Sequence, residues 1–219
     1  MICPAAHWVR TIGHRCASRV FAGIAMNYLA HLHLGGSQPA QLLGSLYGDF
    51  VKGLLAGRYA ADIEAAIRVH RRIDAFTDQH PLVIQAKARF PVERRRVAGI
   101  VLDVFFDHCL ARNWALFADE PLGVFTSRVY RVLEAEPALP ERLALLAPRM
   151  AAQDWLGSYE NYTVIGQVIG NIGHRLSRPE VLDGVMDEVA RLYDPLSEDF
   201  LAFYPELQKF AREARVLRG

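Results

Sequence analysis

Acidic residues are missing from the start of the chain: no Asp or Glu precedes Asp49, whereas Arg10, Arg15 and Arg19 all fall early. An acid-free, arginine-bearing start has the composition of a transit peptide. Met26, however, opens a far more structured stretch, so residues 1–25 read as an upstream extension and residues 26–219 as one domain. Cysteine is scarce too. Cys3, Cys16 and Cys109 make neither an even set nor a Cys-x-x-Cys pair, which excludes a disulfide framework and points to reduced thiols in a cytoplasmic setting. No unbroken apolar run is long enough for a membrane span. Alternating strand patterns, internal repeats and low-complexity tracts are absent as well. Lys and Arg total 25 against 24 Asp and Glu, a net charge of +1, so nothing in the gross charge calls for nucleic acid. There is no Walker loop, no dinucleotide fingerprint and no Ser/His/Asp order that recommends nucleophilic catalysis.

What remains is helical periodicity interrupted by Pro and Gly, and it predicts an all-α, single-domain protein. The expected helices cover residues 26–34, 38–51, 60–76, 81–90, a central one over 100–114, 122–134, 141–146, a pair over 151–172, then 179–193 and 196–217 with Pro205 as a kink or break. The central stretch IVLDVFFDHCLARNW is built for burial yet carries Asp103, Asp107 and His108. Asp103 and Asp107 are one turn apart and share a direction, and His108 adjoins Asp107. Buried carboxylates cost several kcal/mol each unless paired or metal-bound. Similar intrusions recur upstream: Asp49 near the end of an apolar helix, where the dipole disfavours it, and His70 with Asp74 one turn later.

Together Asp49, His70, Asp74, Asp107 and His108 form a mixed nitrogen–oxygen donor set that suits Mn, Fe, Mg or Zn. The bland alternatives are ion pairs, with Arg71, Arg72 or Arg94, Arg95 and Arg96 answering Asp103, and Arg112 answering Asp107. His31 and His33, two apart, face different sides of a helix, so at most one points inward.

At these residues the chain resembles the acyl carrier protein phosphodiesterases. The resembling segments are MNYLAHLHL, LLGSLYGDFVKG, HRRIDAFTDQHP, RRVAGIVLDVFFDHCLARNW, DWLGSYENY, GHRLSRP and FLAFYPEL, in order from Met26 to about Phe210. The resemblance implies a helical fold related to the HD-type metal phosphohydrolases with rearranged motif order. It also implies a manganese-dependent hydrolase that removes 4′-phosphopantetheine from holo-acyl carrier protein. Carried onto this chain, it marks Asp49, His70, Asp74, Asp107 and His108 as metal or catalytic residues, with Asp78 and Asp103 orienting them.

In the mechanism that follows, His70, Asp107 and His108 ligate, with Asp49 as a further ligand or, like Asp74, the base for the attacking water. Arg71 or Arg72 neutralises the phosphate, and His31 protonates the leaving serine. Arg94, Arg95 and Arg96 would meet an acidic carrier protein. Two rival readings are an HD-like phosphohydrolase of nucleotides or small phosphodiesters, and a non-enzymatic helical binding protein.

Overall fold

Proline marks where several helices begin, because its fixed φ suits a first turn and its missing N–H costs nothing there. The computed structural model describes residues 28–174 and 178–216. Within them, α1 (Tyr28–Gly35) leads to α2 (Pro39–Phe50), α3 (Ala61–Gln79) and α4 (Pro81–Ala88). The central α5 (Arg95–Arg112) follows, then α6 (Leu122–Ala135), α7 (Glu141–Ala152), the single turn α8 (Trp155–Ser158) and α9 (Tyr162–Gly173). The chain closes with α10 (Val185–Arg191) and α11 (Tyr193–Val216). No strand occurs among the described residues, as the missing period-2 pattern predicts. The extension expected over residues 1–25 lies outside them.

α5 is the hub. Val101, Val104, Phe105 and Leu110 are fully buried, each worth roughly 1.5–3 kcal/mol relative to exposure. α1, α4, α9 and α11 pack around it, while α2 lies along α3 and α6 backs α2. The α2–α3 approach depends on two helical glycines. A Cβ on Gly44 would stand 2.4 Å from Ala66 Cβ, and one on Gly48 would stand 2.2 Å from the His70 ring. The GSLYG stretch of α2 is therefore a cradle for one imidazole of α3.

Three expectations change. The helix expected over 141–146 runs through Pro148 to Ala152. Pro205 lies inside an unbroken α11: Phe203, Tyr204 and Leu207 around it are buried, so packing holds the helix through the missing hydrogen bond. The helix expected over 179–193 is instead a 3-10 turn, Pro179–Leu182, and the separate α10. Gly184 divides them at φ +70°, a left-handed conformation that interrupts a right-handed helix.

Candidate active site

α1, α2 and α3 bring His31, Asp49, His70 and Asp74 to one place. Asp74 bridges two imidazoles: Oδ1 lies 2.9 Å from His31 Nε2 and Oδ2 lies 3.2 Å from His70 Nε2. His70 Nε2 is also 3.3 Å from Asp49 Oδ1. The His31 and His70 rings stack, centroids 3.8 Å apart. His31, His70 and Asp49 are buried, whereas the Asp74 side chain is 46 % exposed, so the cluster opens to solvent past Asp74. Asp49, poorly placed against its own helix dipole, is answered by His70; Lys52 points into solvent.

The hydrogen bonding around His70 decides its role. Nδ1 donates to the Ser45 carbonyl at 2.8 Å, which orients the ring and turns Nε2 toward the carboxylates. This is how a ligating histidine is usually held. His31 Nδ1 and Asp49 Oδ2 have no hydrogen-bond partner, and His31 Nε2 and Asp49 Oδ1 have only their contacts with Asp74 and His70. Buried polar atoms left without partners need an explanation. Within the cluster, His31, His70 and Asp74 each offer a ligand atom within 4.8 Å of the others. A divalent cation fits this donor set of two imidazoles and a carboxylate.

Electrostatics agree with that reading. Burial, and then the neighbouring His70, holds His31 below its ordinary value, so it is neutral and able to ligate. Burial also pulls His70 down, but Asp49 and Asp74 outweigh it and raise the group to about 9. Without a cation, a proton on His70 takes its place. Burial pushes Asp74 up and the two imidazoles more than reverse this, holding its carboxyl well below the usual range.

The structure does not bring Asp107 and His108 into this group. Asp107 accepts from the Leu29 and Ala30 amides, both at 2.9 Å, and so caps the first turn of α1 from another helix. Burial pushes its pKa well up against the pull of those amides. In place of the expected ligand role, the carboxylate anchors the helix that carries His31. His108 Nδ1 donates to the Tyr159 carbonyl at 2.7 Å, and Nε2 accepts from the Tyr193 hydroxyl at 2.9 Å. Both ring nitrogens are in use, one as donor and one as acceptor, and burial keeps the ring neutral by lowering its pKa.

Asp103, on the same face of α5 as Asp107, is raised to about 7 by burial and by Asp74. Asp78 is exposed and pairs with Lys87 at 3.0 Å. Arg71 donates to the Val51 carbonyl at 3.0 Å, just beyond Asp49. Arg72 turns to the far flank, donating to the Ala214 carbonyl at 3.2 Å with its guanidinium over Phe210. Arg94 donates to the Val181 and Asp183 carbonyls, and Arg95 to those of Phe90 and Ala88. Arg96 is exposed. Of the two α1 histidines, His31 is the one in the cluster. His33 bonds the Tyr204 hydroxyl at 2.7 Å and packs on Trp114. Residue type alone did not single out His31 from His33, which shares the same short, largely apolar helix.

A family model described as acyl carrier protein phosphodiesterase matches residues 26–207. A curated acyl carrier protein phosphodiesterase of Yersinia enterocolitica is 37 % identical over 193 residues, covering 87 % of this chain and all of that protein. The one from Serratia proteamaculans is 39 % identical over 193 residues with the same coverage. That of Photorhabdus laumondii is 39 % identical over 190 residues, 85 % of this chain and 95 % of the relative. No solved structure matches the chain with significance.

Proposed function

Since the chain belongs to the acyl carrier protein phosphodiesterase family, phosphoric diester hydrolases that convert holo-carrier protein to the apo form, we propose that it does so at the His31–His70–Asp74 cluster with Asp49 behind it. The carrying observation is the convergence of two buried imidazoles and an outward-opening carboxylate, ligand atoms of His31, His70 and Asp74 within 4.8 Å of one another, with the buried Asp49 behind them. When bound there, a divalent cation, manganese in our reading, would supply Lewis-acid stabilisation of the phosphodiester and a lowered pKa for the attacking water.

The chain's own residues do the rest. His31, His70 and Asp74 would hold the cation, and the Ser45 carbonyl fixes the tautomer of His70. Asp49, whose Oδ2 has no hydrogen-bond partner, takes the proton released as water attacks phosphorus. Arg71 keeps guanidinium donors in reserve beyond its bond to Val51 and meets the phosphate oxygens. As the P–O bond to the carrier serine breaks, its oxygen needs a proton. Asp103, which keeps its own to about 7 beside Asp74, is the donor in this scheme, because His31 is committed to the cation. Asp107 holds α1, and through it His31, in place.

The setting we propose is the cytoplasm, supported by the free, buried thiol of Cys109, which burial pushes up to about 12 and so keeps unreactive. Among the described residues no helix is long and apolar enough to cross a membrane. Residues 1–25 we propose to be dispensable, the family match beginning at residue 26. The test is intact-mass analysis of holo-carrier protein treated with the Mn²⁺-loaded protein. Loss of the phosphopantetheine group, abolished by a chelator and restored by Mn²⁺, is expected; unchanged turnover in excess chelator would contradict the metal site.

A further inference from the structure

The loop that leaves α2 directly after Asp49 carries charge of one sign only. Between Phe50 and Ala61 there are two cations, Lys52 and Arg58, and no acid. Both are exposed. Between them Leu54 is 88 % exposed, the most exposed large apolar side chain among the described residues, while its neighbour Leu55 is buried in the core. Single exposed leucines are ordinary, but the backbone here is built to hold this one out. Gly53, Ala56 and Gly57 are all left-handed, with φ of +75°, +53° and +74°, and at Ala56 that conformation is adopted against the preference of an L side chain. Arg58 folds back to the Lys52 and Leu54 carbonyls, at 3.4 and 3.3 Å. Arg71 ties the loop's first residue, Val51, to α3. Arg71 and Asp74 are neighbours at i, i+3 on that helix, so the loop's first residue is tied to α3 about one turn from the point where the cluster opens.

We propose that residues 51–60 are the docking surface for the carrier protein, with Leu54 as the apolar anchor and Lys52 and Arg58 as flanking cations. The proposal rests on the carrier-protein reading above. Its partner is an acidic protein surface with an apolar side chain in its midst, next to the phosphodiester-bearing serine. The run Arg94, Arg95 and Arg96 is the competing surface, with Val92 73 % exposed beside it and with Arg94 and Arg95, like Arg58, each donating to two backbone carbonyls. Glu93 interrupts the charge of that surface, whereas the loop combines its anchor with charge of one sign. Electrostatic complementarity of this sort acts mainly on encounter and is screened by salt within about 8 Å at physiological ionic strength.

The test uses the full chain, with holo-carrier protein as substrate and Mn²⁺ calorimetry to report the integrity of the cluster. Lys52→Glu with Leu54→Asp should raise KM by about tenfold or more, the size of effect expected from losing a central contact. kcat should stay within about twofold, Mn²⁺ binding should not change, and the rise of KM with added salt should flatten. Leu54→Ser, at a position with no core contact to lose, repeats the test with little threat to folding. Unchanged KM and salt dependence in both variants, with Mn²⁺ binding intact, overturns the proposal; an increase in KM from reversing Arg95 and Arg96 instead would move docking to α5. If Mn²⁺-loaded wild-type protein leaves holo-carrier protein uncleaved, the carrier reading itself fails and this surface falls with it.

Discussion

His70 with Asp74 on α3, and Asp107 with His108 on α5, are both imidazole–carboxylate pairs set into apolar helices, and in one dimension either suits a metal. Their surroundings differ. Asp107 and His108 are almost wholly buried, and each polar atom has a protein partner: two amides for the carboxylate, a carbonyl and a phenol for the ring. Around His70, Nδ1 is held by a backbone carbonyl, while Nε2 faces two carboxylates and lies beside a second imidazole that shares Asp74. Readiness to hold a cation therefore lies in which lone pairs the fold leaves uncommitted. The α5 pair is the more deeply buried, and it serves as architecture.

The comparison breaks most sharply on substitution. His31→Ala, His70→Ala or Asp74→Asn should remove Mn²⁺ binding and lower turnover by on the order of 10³ or more, as several kcal/mol of Lewis-acid stabilisation is lost. Asp107→Asn should instead keep Mn²⁺ stoichiometry near one while destabilising the protein by about 1–3 kcal/mol, because one α1 amide loses its acceptor. Calorimetry for the ion and urea denaturation for stability separate the two. A stable Asp107→Asn protein that binds no Mn²⁺ would reverse the assignment.

Much of the architecture was legible in the chain, and the reasons are physical. Helical periodicity and Pro39, Pro81, Pro121 and Pro140 place helix starts well, since they are local effects. The membership of His70, Asp74 and Asp49 in one polar site was readable from charges on apolar faces. The role of Asp107 was not: its partners, Leu29 and Ala30, lie 78 and 77 residues away, and a cap supplied from another helix leaves no local pattern. Likewise nothing near His108 announces Tyr159 or Tyr193. The unbroken helix through Pro205 escaped for the same reason, being held by tertiary packing.

Gly48→Ala sharpens the comparison from the other side, since no ligand is removed. Its Cβ would collide with the His70 ring, so Mn²⁺ affinity should fall by about 10–100-fold, as for the loss of an orienting partner. Calorimetry would detect it, and unchanged affinity would show that the ring need not sit in the α2 cradle.

The pH dependence of binding is a smaller lever. In metal-free protein His70 keeps its proton to about 9, and a ligating imidazole must give it up. Below that value the cation displaces one proton, so Mn²⁺ affinity should rise roughly tenfold per pH unit through neutrality and level off near 9. Calorimetry in buffers of differing ionisation enthalpy counts the released proton; a pH-independent affinity would mean His70 is not a ligand.

A separate effect concerns Asp103. Its folded pKa of about 7 lies above the ordinary 3.8, so the folded state binds more protons between these values and metal-free stability should decline as pH rises from about 4 to 7. Asp103→Asn should flatten that decline in urea titrations, and a slope unchanged by the substitution would place its source elsewhere.

The most direct measurement is anomalous diffraction at the manganese edge from crystals of the Mn²⁺-loaded protein. A single peak within about 2.0–2.3 Å of His31 Nε2, His70 Nε2 and a carboxylate oxygen of Asp74 is expected for nitrogen and oxygen ligation. A peak at Asp107 and His108, with their bonds to α1, Tyr159 and Tyr193 broken, would contradict the account.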